Sequence, residues 1–572
     1  MARIVCVLIL VVSHAAVALA ADAPGFVAEA AGEGDFVLAD GEALADVYVD
    51  AGDHAVARIA AGLLADDVER VTGRKPAVKH DPAALRSAAV LIGTLGHSPI
   101  IDQLAAKGRI DVEQVHGQWE TFIIQTVEGP FEEANLAGVE QALVIAGSDR
   151  RGTAFGVFEL SEQIGVSPWY WWADVAPTPR RTLIIQRGAY RVGPPSVKYR
   201  GIFINDEDWG LQPWAAKTFD PQFGDIGPKT YAKVFELLLR LKGNYLWPAM
   251  HHCTVEFGAV DRNITLADEW AIVMGAAHCE PLNRNNVWWK KDGQGEWRYD
   301  TNRANMMRYW EEWAQKRGPY EAVWTVGLRG IHDSGMAGPQ DLHAQVGLLE
   351  QAIADQRQLL RQHVNPRVEQ IPQVFTPYKE ALTHYQAGLK LPDDVTILWC
   401  EDNYGYIRQL STPQEQARRG RSGIYYHISY LGWPRPYLWL NTTPPALIWE
   451  EMTKAYAYGA DRVWVLNVGD IKPGEIGIEF WQRLAWDIDR YGPDAQRVFL
   501  REWAAREFGE ELAGEIASIM DRYYQLGFQR KPELMEDDLF SVVHHREAEQ
   551  RLEAYRSIVA RAESVDQQLP PS

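Results

Sequence analysis

The sequence predicts an α/β protein organised around a (β/α)8 barrel over residues 195–492, and three observations carry that expectation. Eight short, β-rich apolar runs recur across this stretch: YRGIFIND, NYLWPA, AIVMGAA, AVWTVGL, QVFTPY, VTILWC, GIYYHIS and RVWVLNV. Segments with helical spacing of apolar residues stand between most of them, and such alternation implies parallel pairing. Eight units in about 250–300 residues fit a closed barrel. A doubly wound open sheet is the alternative, but no GxGxxG or P-loop pattern follows the first run.

The flanking elements follow in chain order. Residues 1–21 read as a secretory signal peptide: Arg3, the apolar run VCVLILVV, then small residues at Ala18-Leu19-Ala20. The mature protein is therefore expected to be secreted or periplasmic. Residues 22–190 mix strand-like runs (DFVLA, AAVLIGTL, ETFIIQTV, ALVIAGS) with two helical stretches, HAVARIAAGLLADDVERVTG and GTAFGVFELSEQIG. This region is expected to be a separate α/β domain, ending at the aromatic junction PWYWWADVAPTPR. Residues 493–572 carry three segments that can each place an apolar stripe on one helix face, and they read as part of a truncated bundle. No run after the leader is long enough to span a bilayer.

Composition narrows the function. A formal net charge of −20 repels polyanions, which argues against nucleic acid while leaving room for a locally positive pocket. The 22 Trp and 23 Tyr fill cores first, but flat rings also pair with the apolar faces of sugars. Cys6 leaves with the leader. Cys253, Cys279 and Cys400 form no CxxC pair and read as buried free thiols.

A barrel of this kind places its active site at the C-terminal ends of its strands. Those ends are rich in ionisable and aromatic groups: Asn205 to Trp209, Trp247 to His252, Ala277 to Glu280, Arg329 to Asp333, Tyr378 to Glu380, Glu401 to Tyr404, Tyr425 to Tyr430, and Asn467 to Asp470. Asp206, Asp208, Asp402 and Asp470 could equally serve as helix N-caps. No metal is expected, because HExxH and comparable ligand spacings are absent and adjacent His251 and His252 would point to opposite faces of a strand. No cofactor is implied. The missing GxSxG disfavours an α/β-hydrolase. A carboxylate-rich pocket with amides and aromatics suits glycoside hydrolysis, in which one carboxylic acid protonates the leaving oxygen and a second carboxylate activates water or attacks carbon. Arg329 stands where it could hold a negatively charged sugar.

At these positions the chain resembles the α-glucuronidases of glycoside hydrolase family 115, which remove glucuronic acid or its 4-O-methyl ether from xylan side chains. The matching segments are RGIFINDEDWGLQPWA, LRLKGNYLWPAM, VGLRGIHDSGM, PYKE, EDNYGYIRQL, GIYYHISYLGWPRPYLWLNT and VWVLNVGDIKPGEIGIEFWQRLAWD. Upstream, DRRGTAFGVFELSEQIGVSPWYWWADV also matches.

The resemblance implies release of terminal α-1,2-linked uronic acid from glucuronoxylan or its oligosaccharides, with inversion. Asp333 and Glu380, from the adjacent fourth and fifth strands, are the expected acid–base pair; Glu380 is assigned as acid and Asp333 as base, though sequence alone does not separate the roles, and Glu207 could supply a neighbouring charge or itself be catalytic. Glu207, Trp247, His278, Arg329, Asn403, His427, Tyr430 and Asn467 would contact substrate, Arg329 taking the uronate carboxylate. The acid is expected to have a raised pKa. The chain departs from the family at Cys279, Ile331 and Ser334, and in ending before the usual C-terminal β-sandwich. Homodimerisation is compatible with this reading. Two other classes stay open: another exo-acting glycosidase on the same barrel, and a non-catalytic carbohydrate-binding homologue.

Overall fold

The structure, a computed structural model, describes residues 25–569 apart from 29, 132–137, 431 and 433–439. The predicted leader lies outside the described residues, as does much of the LGWPRPYLW stretch after the seventh barrel strand. Among the described residues no helix is long and apolar enough to cross a membrane.

The N-terminal region holds two sheets. Val27–Ala28, Phe36–Ala39 and Leu183–Ile185 form a small antiparallel one. The other has six strands in the order Val78–Lys79, Asp46–Val49, Ala88–Thr94, Gln141–Gly147, Phe122–Glu128, Ala189–Val192. Its first four strands are parallel and its last two join antiparallel. Alternation along a strand sends side chains to both faces. Val90 and Ile92 pack under the helices Ala55–Thr72 and Arg150–Gln163, while Ala89 and Leu91 pack with Ile100, Ile101 and Leu104 of Pro99–Ala106. The helix Ala55–Thr72 buries Val56, Ala60, Leu64, Val68 and Val71 on one face. It stops where Gly73 turns left-handed (φ 73°) and returns its N–H to the Glu69 carbonyl.

All eight expected barrel strands form: Tyr199–Ile204, Tyr245–Trp247, Val273–Met274, Trp324–Thr325, Gln373–Phe375, Thr396–Cys400, Ser422–His427 and Val463–Gly469. They pair in parallel in the spatial order third, second, first, eighth, seventh, sixth, fifth, fourth. The ring closes between the third and fourth strands through one parallel bridge, Met274 to Ala322. Side chains reinforce that seam: Thr325 Oγ1 donates to the Ala276 carbonyl (2.8 Å), and Asn283 Nδ2 donates to the Val323 carbonyl (2.9 Å).

Aromatic side chains fill the interior, with Tyr199, Phe203, Tyr245, Trp247 and Tyr425 among Val273, Val374, Leu398 and Val465. Gly201 lies on the same face as Tyr199 and Phe203, where a Cβ would come within 1.6 Å of the Tyr245 carbonyl oxygen. The helices Pro228–Arg240, Asp261–Glu269, Tyr299–Arg317, Leu342–His363, Glu380–Gln386, Pro413–Gln416, Pro445–Ala457 and Glu475–Trp486 follow the strands in turn.

The N-terminal domain docks on the lower end of the barrel through buried charges. Glu120 accepts from Arg151 Nε (2.5 Å) and Asn244 Nδ2 (2.8 Å) on one oxygen and from Arg200 Nη2 (2.6 Å) on the other. Arg151 also forks onto Glu321 (2.7 and 3.0 Å). Beyond the barrel, Ala495–Phe508, Glu510–Gln529 and Glu547–Asp566 are helical, as their apolar stripes predict.

Candidate active site

The rim divides into a half where buried acids lack partners and a half where they are paired. In the first half, the chain leaves the first barrel strand through Asp206 into the short helical turn Glu207–Trp209. Asp206 is 1% exposed and neither of its carboxylate oxygens has a partner. Burial raises its pKa to about 6, against the pull of His251. Glu207 is completely buried. Its Oε1 accepts the His251 backbone N–H (2.7 Å) while Oε2 stays unpartnered, and burial again raises the carboxyl above its usual range. Asp470, after the eighth strand, is raised by burial to about 8, although its Oδ1 accepts the Leu211 N–H (3.3 Å). Burial raises all three neighbouring carboxyls above their usual range.

In the second half Asp333 and Glu380 are held by a cation, while Glu280, buried after the third strand, is raised by burial to about 8. Arg329 directs Nε and Nη2 onto the two oxygens of Glu380 (2.8 and 2.7 Å), and its Nη1 pairs with Asp333. Asp333 also receives His278 Nε2 (3.0 Å) and is paired with Lys379. Burial alone would raise both carboxyls. For Asp333, the bonds from His278, Lys379 and Arg329 overcome it and hold the group far below the usual carboxylate range. For Glu380, Arg329 does the same more mildly. The raised pKa expected of Glu380 is therefore absent in the free pocket, because its partner is a cation. Burial keeps His278 below the usual imidazole value. With Nε2 donating to a carboxylate, its Nδ1 is left as a buried, unpartnered acceptor.

A cavity on this rim is lined by Asp206, His251, His278, His332, Asp333, Tyr378, His427 and Tyr430. It brings together four expected residues: His278, Asp333, His427 and Tyr430. Arg329 and Glu380 stand directly behind Asp333, and Glu207 lies beneath His251. Asn403 (φ 68°) is tied in through its Oδ1, which accepts Tyr378 O–H (2.9 Å). The structure puts Trp247 and Asn467 under the floor. Trp247 is 0% exposed, donates from Nε1 to Tyr245 Oη (2.6 Å) and packs between Phe203 and Tyr425. Asn467 donates to Tyr425 Oη (2.9 Å) and accepts the Gly469 N–H (3.1 Å).

Sequence reasoning missed several residues here. Glu401 is fully buried, pairs with His427 Nδ1 and accepts the Gly405 N–H (2.9 Å), so it orients the imidazole. Tyr378 stacks on His427 with centroids 6.3 Å apart. Lys379 and His332 have positive φ (52° and 57°), which turns the loops back over the pocket. All four lie within the strand ends named from sequence, so nearness to an expected residue was the available signal. Of the four candidate caps, Asp402 instead holds its own loop by accepting the Tyr404 and Tyr406 N–H groups (both 3.1 Å). Asp206 makes no cap bond.

Glu207, Asp208 and His251 bring ligand atoms within 4.8 Å of one another and could hold a small cation, which would displace the His251–Asp208 hydrogen bond (2.9 Å). All three described cysteines are free thiols. Cys279 is buried as expected, but Cys253 is exposed, beside the rim.

The family model described as glycosyl hydrolase family 115 matches residues 192–534. The chain is similar to the solved structure of BtGH115A, a family GH115 4-O-methyl-α-glucuronidase with specificity for decorated arabinogalactans. Identity is 39% and the TM-score 0.84, over 94% of this chain and 70% of that one. More distant likenesses include a Flavobacterium johnsoniae chitobiase (9% identity, TM-score 0.49, 88% of this chain and 73% of that one). Another is a Streptomyces plicatus β-hexosaminidase (12% identity, TM-score 0.44, 85% and 93%). Neither bears on the reaction. Comparison with curated protein sequences gives no match.

Proposed function

This chain belongs to glycosyl hydrolase family 115, and on that premise we propose that it releases terminal α-1,2-linked glucuronic acid, or its 4-O-methyl ether, from glucuronoxylan with inversion. The observation that carries the reading is one guanidinium shared between two rim carboxylates, Arg329 between Glu380 and Asp333.

Asp333 is held ionised by three donors, which suits a base that takes a proton from water. Glu380 depends on Arg329 alone among side chains for its ionised state. A uronate carboxylate arriving at Arg329 competes for the Nε and Nη2 donors. Glu380 then loses its bidentate partner while remaining partly buried, and its pKa climbs. Substrate binding thus converts it into the acid. It gives its proton to the glycosidic oxygen as that bond breaks, while Asp333 deprotonates the water that attacks the anomeric carbon from the opposite face. Tyr430 and Asn403 stand where they could meet the ring and its hydroxyls. Glu207, already raised by burial, is the alternative acid.

A second reading has its own support. BtGH115A acts on decorated arabinogalactans, so uronate-capped arabinogalactan is the competing substrate. The test offers glucuronoxylan and uronate-decorated arabinogalactan to the protein side by side. Free uronic acid is quantified, and its first-formed anomer is read by proton NMR. Release from xylan as the β anomer is expected. Release only from arabinogalactan moves the substrate, the α anomer removes inversion, and binding by the folded protein without release identifies a carbohydrate-binding homologue. Replacing Arg329 should cost uronosides far more than neutral glycosides; equal loss would remove it from uronate recognition. We also infer export from the leader-like residues 1–21, tested by fractionating cells that express the full chain.

A further inference from the structure

A second recess opens beside the candidate pocket where three segments meet. These are the junction leaving the N-terminal domain (Trp171, Trp172, Asp174), the segment after the first barrel strand (Gly210, Leu211, Trp214) and the segment after the eighth (Asp470, Lys472). Trp214 stacks on Phe219 (4.9 Å, 7° between planes), and Trp171 and Trp172 meet Trp214 at 5.9 and 6.0 Å. Trp171 and Trp214 remain half-buried, and Asp174 and Lys472 are exposed.

The recess adjoins the pocket: Asp206, which lines the pocket, donates its N–H to the Gly469 carbonyl (3.2 Å), and the next residue, Asp470, lines the recess. In sequence, Trp209 lies between Asp206 of the pocket and Gly210 and Leu211 of the recess, and 51% of its surface is exposed. The four steps from Glu207 to Leu211 span at most about 14 Å when extended, the reach of a few sugar rings. The Leu211 N–H to Asp470 bond links the two walls.

We propose that this recess and the Trp209 crest bind the xylose main chain of the branched polysaccharide whose uronate branch occupies the pocket. The inference rests on the reading above and extends it to the remainder of the substrate. A pocket that takes one terminal residue obliges the polymer to leave across the rim, and these aromatics stand beside the pocket, on segments that leave the first and eighth strands. Flat rings match the C–H faces of sugars. One exposed carboxylate and one exposed ammonium suit a neutral, hydroxyl-bearing ligand rather than a charged one. The bland alternative is that the aromatics only pack the interdomain junction. Bulk packing leaves the large exposure of Trp209 unexplained.

The test compares Trp209→Ala, Trp214→Ala, the conservative Trp214→Phe and, as a control, Trp288→Ala with the parent on two substrates: glucuronoxylan and a single xylose carrying the uronate. For Trp209→Ala and Trp214→Ala the ratio of polymer to disaccharide kcat/KM is expected to fall about tenfold, the worth of one aromatic contact, through KM rather than kcat. Trp214→Phe should restore most of it. Titration with unbranched xylohexaose reads the recess without turnover, and Trp209→Ala and Trp214→Ala should both weaken that binding. Equal losses on both substrates, an unchanged ratio, or a loss confined to Trp288→Ala on the third-strand loop would overturn the proposal. Binding of galactan oligosaccharides in place of xylohexaose would overturn the xylan assignment. If the parent releases no uronic acid yet binds xylohexaose through these tryptophans, the reaction assignment fails and the recess stands.

Discussion

The two ends of the barrel treat buried charge in opposite ways. At the lower end Glu120 is completely buried and both its oxygens are bonded, by Arg151, Asn244 and Arg200. At the upper end Asp206 and Glu207 are equally buried, yet three of their four oxygens have no partner. A buried polar group left unsatisfied costs about 1–3 kcal/mol, so the upper end carries a cost that the lower end avoids. The lower network joins two domains and needs only to persist. Asp206 lines the pocket and Glu207 lies beneath it, so the cost falls where the chemistry is expected.

The largest effect expected from breaking this contrast is chemical. Asp333→Asn and Glu380→Gln should each reduce uronic acid release from glucuronoxylan by on the order of 10²–10⁴-fold, with folding checked by circular dichroism. Full activity in either would remove that carboxylate from the reaction.

Next comes the lower end. Arg151→Ala leaves Glu120 and Glu321 short of a buried partner and should cost about 3–5 kcal/mol, seen as a lower urea midpoint. Turnover per folded molecule should hold. A loss of turnover without a loss of stability would tie the two ends together.

Glu207→Gln sharpens the comparison from above. The amide keeps a polar group of the same shape in place, so stability should change by less than about 1 kcal/mol while turnover falls. Marked destabilisation would mean that this carboxylate has a partner in solution.

The smallest effect is a pH dependence. Asp206 and Asp470 have folded pKa values raised to about 6 and about 8, above the ordinary unfolded value of about 3.9. The folded state therefore holds protons that the unfolded state releases, and stability should fall as pH rises from about 4 to about 8, then level off. Asp470→Asn should flatten the portion above pH 6 in a series of urea titrations. An unchanged slope there would show that Asp470 ionises normally.

Much of this was legible in the sequence. Strand–helix alternation located all eight barrel strands, even Val273–Met274 and Trp324–Thr325, which are only two residues long. The rule that barrel sites sit at strand ends named every segment that lines the cavity. What stayed hidden were consequences of long-range packing. Trp247 looks like a pocket wall, but Gly275 leaves open the space in which its Nε1 and the Tyr245 hydroxyl meet, where a Cβ would come within 2.6 and 2.0 Å of them. Asn467 looks like a sugar ligand until Tyr425 and Gly469 are seen to occupy its amide. Arg329 reads as a free anion site, and only the fold shows two carboxylates already upon it. Asp206 sits at a cap position, and its burial is invisible in a local pattern.

The ring of strands behaves like a bracelet with a clasp. Its fastening between the third and fourth strands is a single bridge helped by Asn283 and Thr325, and the two partners His278 and Asp333 hang from opposite sides of it, 3.0 Å apart. A clasp that loosened on warming would draw that pair apart. Such parting would show as activity lost below the melting temperature read by circular dichroism, and coincident losses would show that the clasp holds as firmly as the rest of the barrel.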